Sequence, residues 1–158
     1  MSCDVAAIAA SLWLASTAAV APPPATPAVD RPTPPSVASE PLFVDIVQRA
    51  GALKAQTQAY EQTSLDAGFD HMAGASDFEA SVAQLSDLDM KAHVDLVSRG
   101  YSDDLKCILK GISQDLPVKL KAVEAAPDPK ARHDALQDMF YLLRDNVEVI
   151  TAPPQPAA

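Results

Sequence analysis

Ser102 to Val123 reads SDDLKCILKGISQDLPVKLKAV, and this stretch decides the fold. Leu105, Ile108, Leu109, Ile112, Leu116, Leu120 and Val123 recur at intervals of three and four, the period of one apolar helix face. Ser102 stands where an N-cap belongs. Asp103 and Asp104 fall in the first turn, where the positive end of the helix dipole favours acids. Pro117 lacks an N–H, so the sequence predicts a kink or a split at that point.

The same period continues on both sides. Downstream, Pro127-Asp128-Pro129 ends this helix and starts another, with Asp128 as cap and Pro129 at the first helical position. Leu136, Phe140, Leu143, Val147 and Ile150 form its stripe. Upstream, a helix capped by Ser76 or Asp77 runs to about Ser98 and carries Phe78, Val82, Leu85, Asp89, Ala92 and Leu96. Arg99-Gly100 closes it, with the glycine in the C-cap role. Earlier still, a helix from about Leu42 to Ala67 carries Ile46, Ala50, Leu53, Thr57, Tyr60 and Ser64, and a turn region spans Gly68 to Ala75. Strand-like alternation is absent. These features predict an all-α, antiparallel four-helix bundle over residues 42–150, with a proline-kinked third helix.

The flanks have a different composition. Val5 to Ala21 is uncharged and alanine-rich, with Ile8, Leu12, Trp13 and Leu14 supplying an apolar core. Ser16-Thr17-Ala18 and Ala19-Val20-Ala21 both fit a small-x-small cleavage site, although Met1 to Asp4 carries no base. Residues 1–21 are therefore expected to be a signal peptide, which makes the protein periplasmic or secreted. It would be cytoplasmic if the run is not a functional signal. Residues 22–41 hold eight of the chain's 14 prolines and almost no large apolar side chains. They are expected to form a disordered Pro/Ala-rich linker, and residues 151–158 a disordered tail. Alanine drives membrane insertion weakly, so no integral membrane span is expected in the mature chain.

Charge and cysteine content exclude several classes. The 158 residues carry 12 Lys and Arg against 21 Asp and Glu, a net charge of −9. The acidic balance argues against nucleic acid, whose phosphates need clustered bases. It suits a protein partner or simple solubility. Cys3 and Cys107 are the two cysteines. Loss of Cys3 with a leader would leave Cys107 as a single thiol, through which a homodimer could form. Disulfide frameworks and cysteine-rich zinc sites are excluded. There is no G-x-S-x-G, phosphate loop or glycine-rich nucleotide fingerprint, and the carboxylates are scattered, so an enzyme is not expected.

Two sets of residues stand out. Asp89 interrupts the apolar stripe of the second helix, where a carboxylate must be paired, hydrogen-bonded or protonated. His93 follows at i+4, and Thr57 and Tyr60 on the first helix complete a buried polar set. This set is the basis for an alternative function, a small-ligand or metal/heme-binding bundle. His71, His93 and His133 form no H-x-x-H or Glu-x-x-His pair, and Cys-x-x-Cys-His is absent, so no cofactor or metal is expected. Met139 with His93 or His71 is the one sketch of a b-type heme site. The second set lies on the outer face of the third helix. There Cys107 opposes the Leu105–Leu109–Ile112 stripe, Lys106 and Lys110 border it, Gly111 leaves a bare spot, and Gln114 and Val118 continue the face. Two ammonium groups would favour a thiolate at Cys107, and a glycine lets a partner approach closely.

Cys107-Ile108-Leu109-Lys110-Gly111 resembles the His-x-Leu-Lys-Gly signature of histidine-phosphotransfer domains, which are also four-helix bundles with the motif on an exposed helix face. The resemblance covers five residues. The family's phosphoacceptor histidine falls on Cys107, so it implies a degenerate docking bundle rather than phosphotransfer, and only if the leader is not a signal. The leading expectation is an exported, non-enzymatic bundle that binds another protein.

Overall fold

In a computed structural model, residues 36–66, 72, 74–101 and 104–152 are described. The expected signal peptide, most of the expected linker, His71, Ser102, Asp103 and the tail from residue 153 lie outside them. Four helices follow one another: α1 Pro41–Thr63, α2 Ala75–Ser98, α3 Leu105–Glu124 and α4 Pro129–Thr151. Each packs on the next, and α4 closes back on α1. This is the antiparallel four-helix bundle, with α2 and α4 facing each other across one diagonal.

The helix ends follow local chemistry. Asp128 adopts extended backbone angles and its Oδ1 accepts from the Ala131 N–H at 2.8 Å, with Pro129 next in the helix. That cap contributes about 1 kcal/mol. At the end of α2, Gly100 has φ 67°, Tyr101 N–H donates to the Leu96 carbonyl and Gly100 N–H to the Val97 carbonyl. These two bonds form a Schellman motif, and the left-handed angle is why glycine stands there.

Some boundaries differ from the sequence reading. α2 starts one residue before Ser76, with Gly74 at φ 73° as its N-cap and no side-chain cap. The left-handed glycine delivers the chain, and Asp77 falls inside the first turn rather than before it. α1 stops at Thr63, where the Ser64 N–H and hydroxyl both donate to the Glu61 carbonyl, at 3.3 and 2.7 Å, and tighten the last turn. The expected linker is too long at its C-terminal end. Val37 is buried at 2% exposure, and both carboxylate oxygens of Glu40 accept from Arg99, at 2.7 and 2.9 Å.

α3 runs through Pro117 as one helix instead of splitting. The proline leaves the Ser113 carbonyl without its i+4 donor. Ser86 of α2 supplies the replacement, its hydroxyl donating to the Ser113 carbonyl at 2.8 Å.

The core holds Phe43, Ile46 and Leu53 from α1, Phe78, Leu85 and Leu96 from α2, Leu109 and Leu116 from α3, and Leu136, Leu143 and Ile150 from α4. Each such side chain stabilises the fold by about 1.5–3 kcal/mol. The Tyr60 and Phe78 rings meet in a T-shaped contact at 5.5 Å between centroids, joining α1 to α2. The α4 stripe is turned relative to expectation. Met139 and Asn146 are buried, and Phe140 and Val147 lie half-buried beside them. Among the described residues, no helix is long and apolar enough to cross a membrane.

Candidate functional site

The period of α2 drives Asp89 inward with Phe78, Val82, Leu85, Ala92 and Leu96. Asp89 is fully buried, and so is Asn146 on α4. Across the bundle diagonal, Asn146 Nδ2 donates to Asp89 Oδ2 at 2.6 Å. The remaining oxygens, Asp89 Oδ1 and Asn146 Oδ1, have no hydrogen-bond partner among the described residues. Burial raises the Asp89 carboxyl to about 7, only partly offset by the Asn146 amide, which favours the charged form.

Sequence reasoning places Asp89 in the core but misses its partner. Asn146 lies one position from Val147, and an amide gives no hydrophobic signal, so the stripe is read through the valine. The inward turn of α4 shows only when Met139, Leu143, Asn146 and Ile150 are taken together, and Asn146 is the polar member of that set.

The other residues of the buried polar set do not converge on Asp89. His93 is half-buried and its Nδ1 lies 2.6 Å from the Lys106 carbonyl on α3. A carbonyl oxygen only accepts, so Nδ1 carries the proton and His93 ties α2 to α3. Thr57 is fully buried, with its hydroxyl donating to the Leu53 carbonyl at 2.8 Å. The Tyr60 hydroxyl accepts from Gln56 Nε2 at 2.7 Å. His133 Nδ1 lies 3.0 Å from Ser64 Oγ and 3.3 Å from the Glu61 carbonyl, fastening α4 to the end of α1. Met139 is fully buried in the core. Among the described residues, no three His, Cys, Asp or Glu side chains stand close enough together to hold a metal ion.

On the outer face of α3, Cys107 is half-buried and, in the full-length chain, disulfide-bonded rather than a free thiol. The chain's other cysteine, Cys3, lies outside the described residues. Lys106 is half-buried and its Nζ donates to the Tyr101 carbonyl at 2.8 Å, so it braces the α2–α3 connection. Lys110 is half-buried, and Gln114 is exposed. A Cβ added at Gly111 would meet nothing within 4 Å. Val118, one helical repeat further along the same side, is 63% exposed. Gly111, Gln114 and Val118 thus form a low-relief strip with an apolar end.

Between α1 and α2, Asp45, Arg49, Gln84, Asp87, Leu88 and Lys91 line an open cleft of about 270 Å³. Arg49 spans it, bonding Asp45 on its own helix and Gln84 across the gap.

The site and fold carry no label from relatives: protein-family models, curated proteins and solved structures give no match to this chain.

Proposed function

We propose that this chain is an exported, non-enzymatic helical bundle that binds another protein through the outer face of α3. The observation that carries the reading is Val118, a large apolar side chain at 63% exposure on the same helix side as Gly111, where the surface is open. Apolar surface left uncovered beside a bare backbone gives a partner close approach and area to bury. Lys110 and Gln114 frame the strip and would supply polar rim contacts. The apolar, uncharged run from Val5 to Ala21 supports export.

The test is native mass measurement on protein isolated from its own cells, in wild-type form and as Gly111→Gln with Val118→Glu. Both positions face open surface, so the double variant should keep its thermal stability to within about 0.5 kcal/mol. The wild type should carry a stoichiometric protein partner that the variant loses. Equal partner recovery by both proteins would sink the α3 assignment. The same measurement without reductant reads the leader. A disulfide within a single chain at Cys107 needs Cys3, and a cleaved leader removes Cys3. A mature chain beginning after Ala18 or Ala21 supports export, whereas a chain beginning at Met1 overturns it.

A further inference from the structure

We propose that the centre of the bundle is a proton-binding site. Asp89 is held there as the neutral acid, its Oδ1–H donating to Asn146 Oδ1, which closes a two-bond carboxyl–amide ring with the Asn146 Nδ2 to Asp89 Oδ2 bond.

Three observations converge on this. Both side chains are fully buried, so neither has solvent to complete its hydrogen bonding. One bond, at 2.6 Å, already joins them. The two oxygens left over belong to that same pair, one on each side chain. An amide oxygen accepts and cannot donate, and an ionised carboxylate oxygen likewise only accepts. With Asp89 ionised, two acceptors remain without a donor in an apolar core, each a costly orphan. One proton taken from solvent converts Asp89 Oδ1 into a donor and removes the charge.

No buried charged side chain among the described residues stands ready to pair with an ionised Asp89. Among the described residues, the other buried polar side chains are Thr57 and Ser64 on and just after α1, Ser113 on α3 and Asn146 on α4, and none of them is ionised. The nearby charged groups are turned outward or engaged elsewhere. On α1, Arg49 bonds Asp45 and Gln84, and Lys54 is part-exposed. On α2 itself, Asp87 and Lys91 are exposed and His93 bonds the Lys106 carbonyl. On α3, Lys106 reaches the Tyr101 carbonyl and Lys110 is part-exposed. On α4, Arg144 pairs with Asp145, and Glu148 is exposed. Burial, the dominant influence on Asp89, raises its carboxyl to about 7, in agreement with proton retention at mildly acid pH.

The ring spans α2 and α4, which touch only through the core, so the proton also joins the bundle diagonal. Its loss as pH rises through neutrality places a carboxylate beside an amide oxygen and weakens that link. The bundle then becomes looser in alkaline than in mildly acid solution.

The experiment uses the full chain. The Asp89 carboxyl carbon is followed by NMR from pH 4.5 to 8.5, and the folding equilibrium is measured by urea over the same range, for the wild type and Asp89→Asn. The Asp89 carbon should titrate with a midpoint near 7. Relative to Asp89→Asn, the wild-type folding constant should fall by up to tenfold per pH unit below that midpoint and level off above it. Asn at 89 supplies an amide N–H in place of the proton, so that variant keeps the ring at every pH. An Asp89 carbon already ionised at pH 5 overturns the proposal, as does an unchanged pH slope in Asp89→Asn. If Asp89→Asn does not fold, the wild-type carbon titration decides alone.

Discussion

The α2–α3 seam and the bundle centre both put polar side chains where apolar ones would pack, and they differ in what is left over. At the seam, Pro117 vacates the Ser113 carbonyl and Ser86 refills it with a neutral donor. At the centre, Asn146 meets one oxygen of Asp89, and two oxygens remain. A neutral, satisfied contact fixes how two helices register and responds little to solution conditions. A half-satisfied contact with an ionisable member makes the same kind of link depend on pH. The two places sit on neighbouring turns of α2, so one helix carries both an insensitive tie and a sensitive one.

The largest effect should come from making the centre resemble the seam. Asp89 has a folded-state value of about 7 against an ordinary 3.8. A carboxyl raised in this way favours folding most where both states are protonated, below about pH 4. That contribution is lost as pH rises to about 7 and stays lost above it. Roughly three pH units at about 1.4 kcal/mol each give on the order of 4 kcal/mol. Asp89→Asn should therefore be more stable than the wild type at pH 8, by up to that amount, and nearly equal to it below pH 4. Urea unfolding at the two pH values checks both arms. Equal stability at pH 8 would mean the buried carboxylate is accommodated in some other way.

A smaller effect should follow from removing the amide instead. Asn146→Leu keeps the volume and the apolar surroundings but leaves Asp89 with no donor for Oδ2. The expected loss is about 2–3 kcal/mol near neutral pH, the cost of orphaning a buried polar group. The Asp89 carboxyl should still titrate above its ordinary 3.8, because burial, the larger influence on it, remains. A carboxyl that falls back to the ordinary range in Asn146→Leu would show that the amide, and not burial, holds it up.

How much of this was legible in the sequence depends on the signal each residue gives. The α2 stripe read correctly to the residue, Asp89 included, because a three-four period survives one polar member, whereas the α1 stripe missed Phe43 at its start. The Asp128 cap and the Arg99-Gly100 terminus were also legible, since local chemistry alone determines them. Four things were not. Asn146 was hidden because an amide has no apolar signal and Val147 beside it does. The fate of Pro117 was hidden because its compensating donor, Ser86, lies 31 positions upstream on another helix, beyond any local rule. His93 looked like a partner for Asp89 at i+4, yet it turns to the Lys106 carbonyl on α3. Spacing on one helix says which side chains are neighbours but not which helix they address. The outer strip of Gly111, Gln114 and Val118 was legible as a bare face, while the bonded state of Cys107 was not.

The smallest effect concerns the seam, and it asks whether Ser86 and Pro117 act as a pair. Ser86→Ala removes the donor to the Ser113 carbonyl, which sits on a buried residue at 5% exposure. With Pro117 present, no backbone N–H can take its place, so the loss should be about 1 kcal/mol. Pro117→Ala restores the missing helix bond from residue 117 to that carbonyl. In this background the carbonyl is satisfied with or without Ser86, and Ser86→Ala should cost close to nothing. The double-mutant cycle should then show a coupling of about 1 kcal/mol, measured by urea unfolding at one fixed pH. Repeating the cycle at pH 5 and pH 8 should leave the coupling unchanged, because Ser86, Ser113 and Pro117 carry no titratable side chain. The same two pH values should move Asp89→Asn relative to the wild type strongly. An equal cost for Ser86→Ala in both backgrounds would show that the hydroxyl acts through packing rather than through the carbonyl that the proline leaves open.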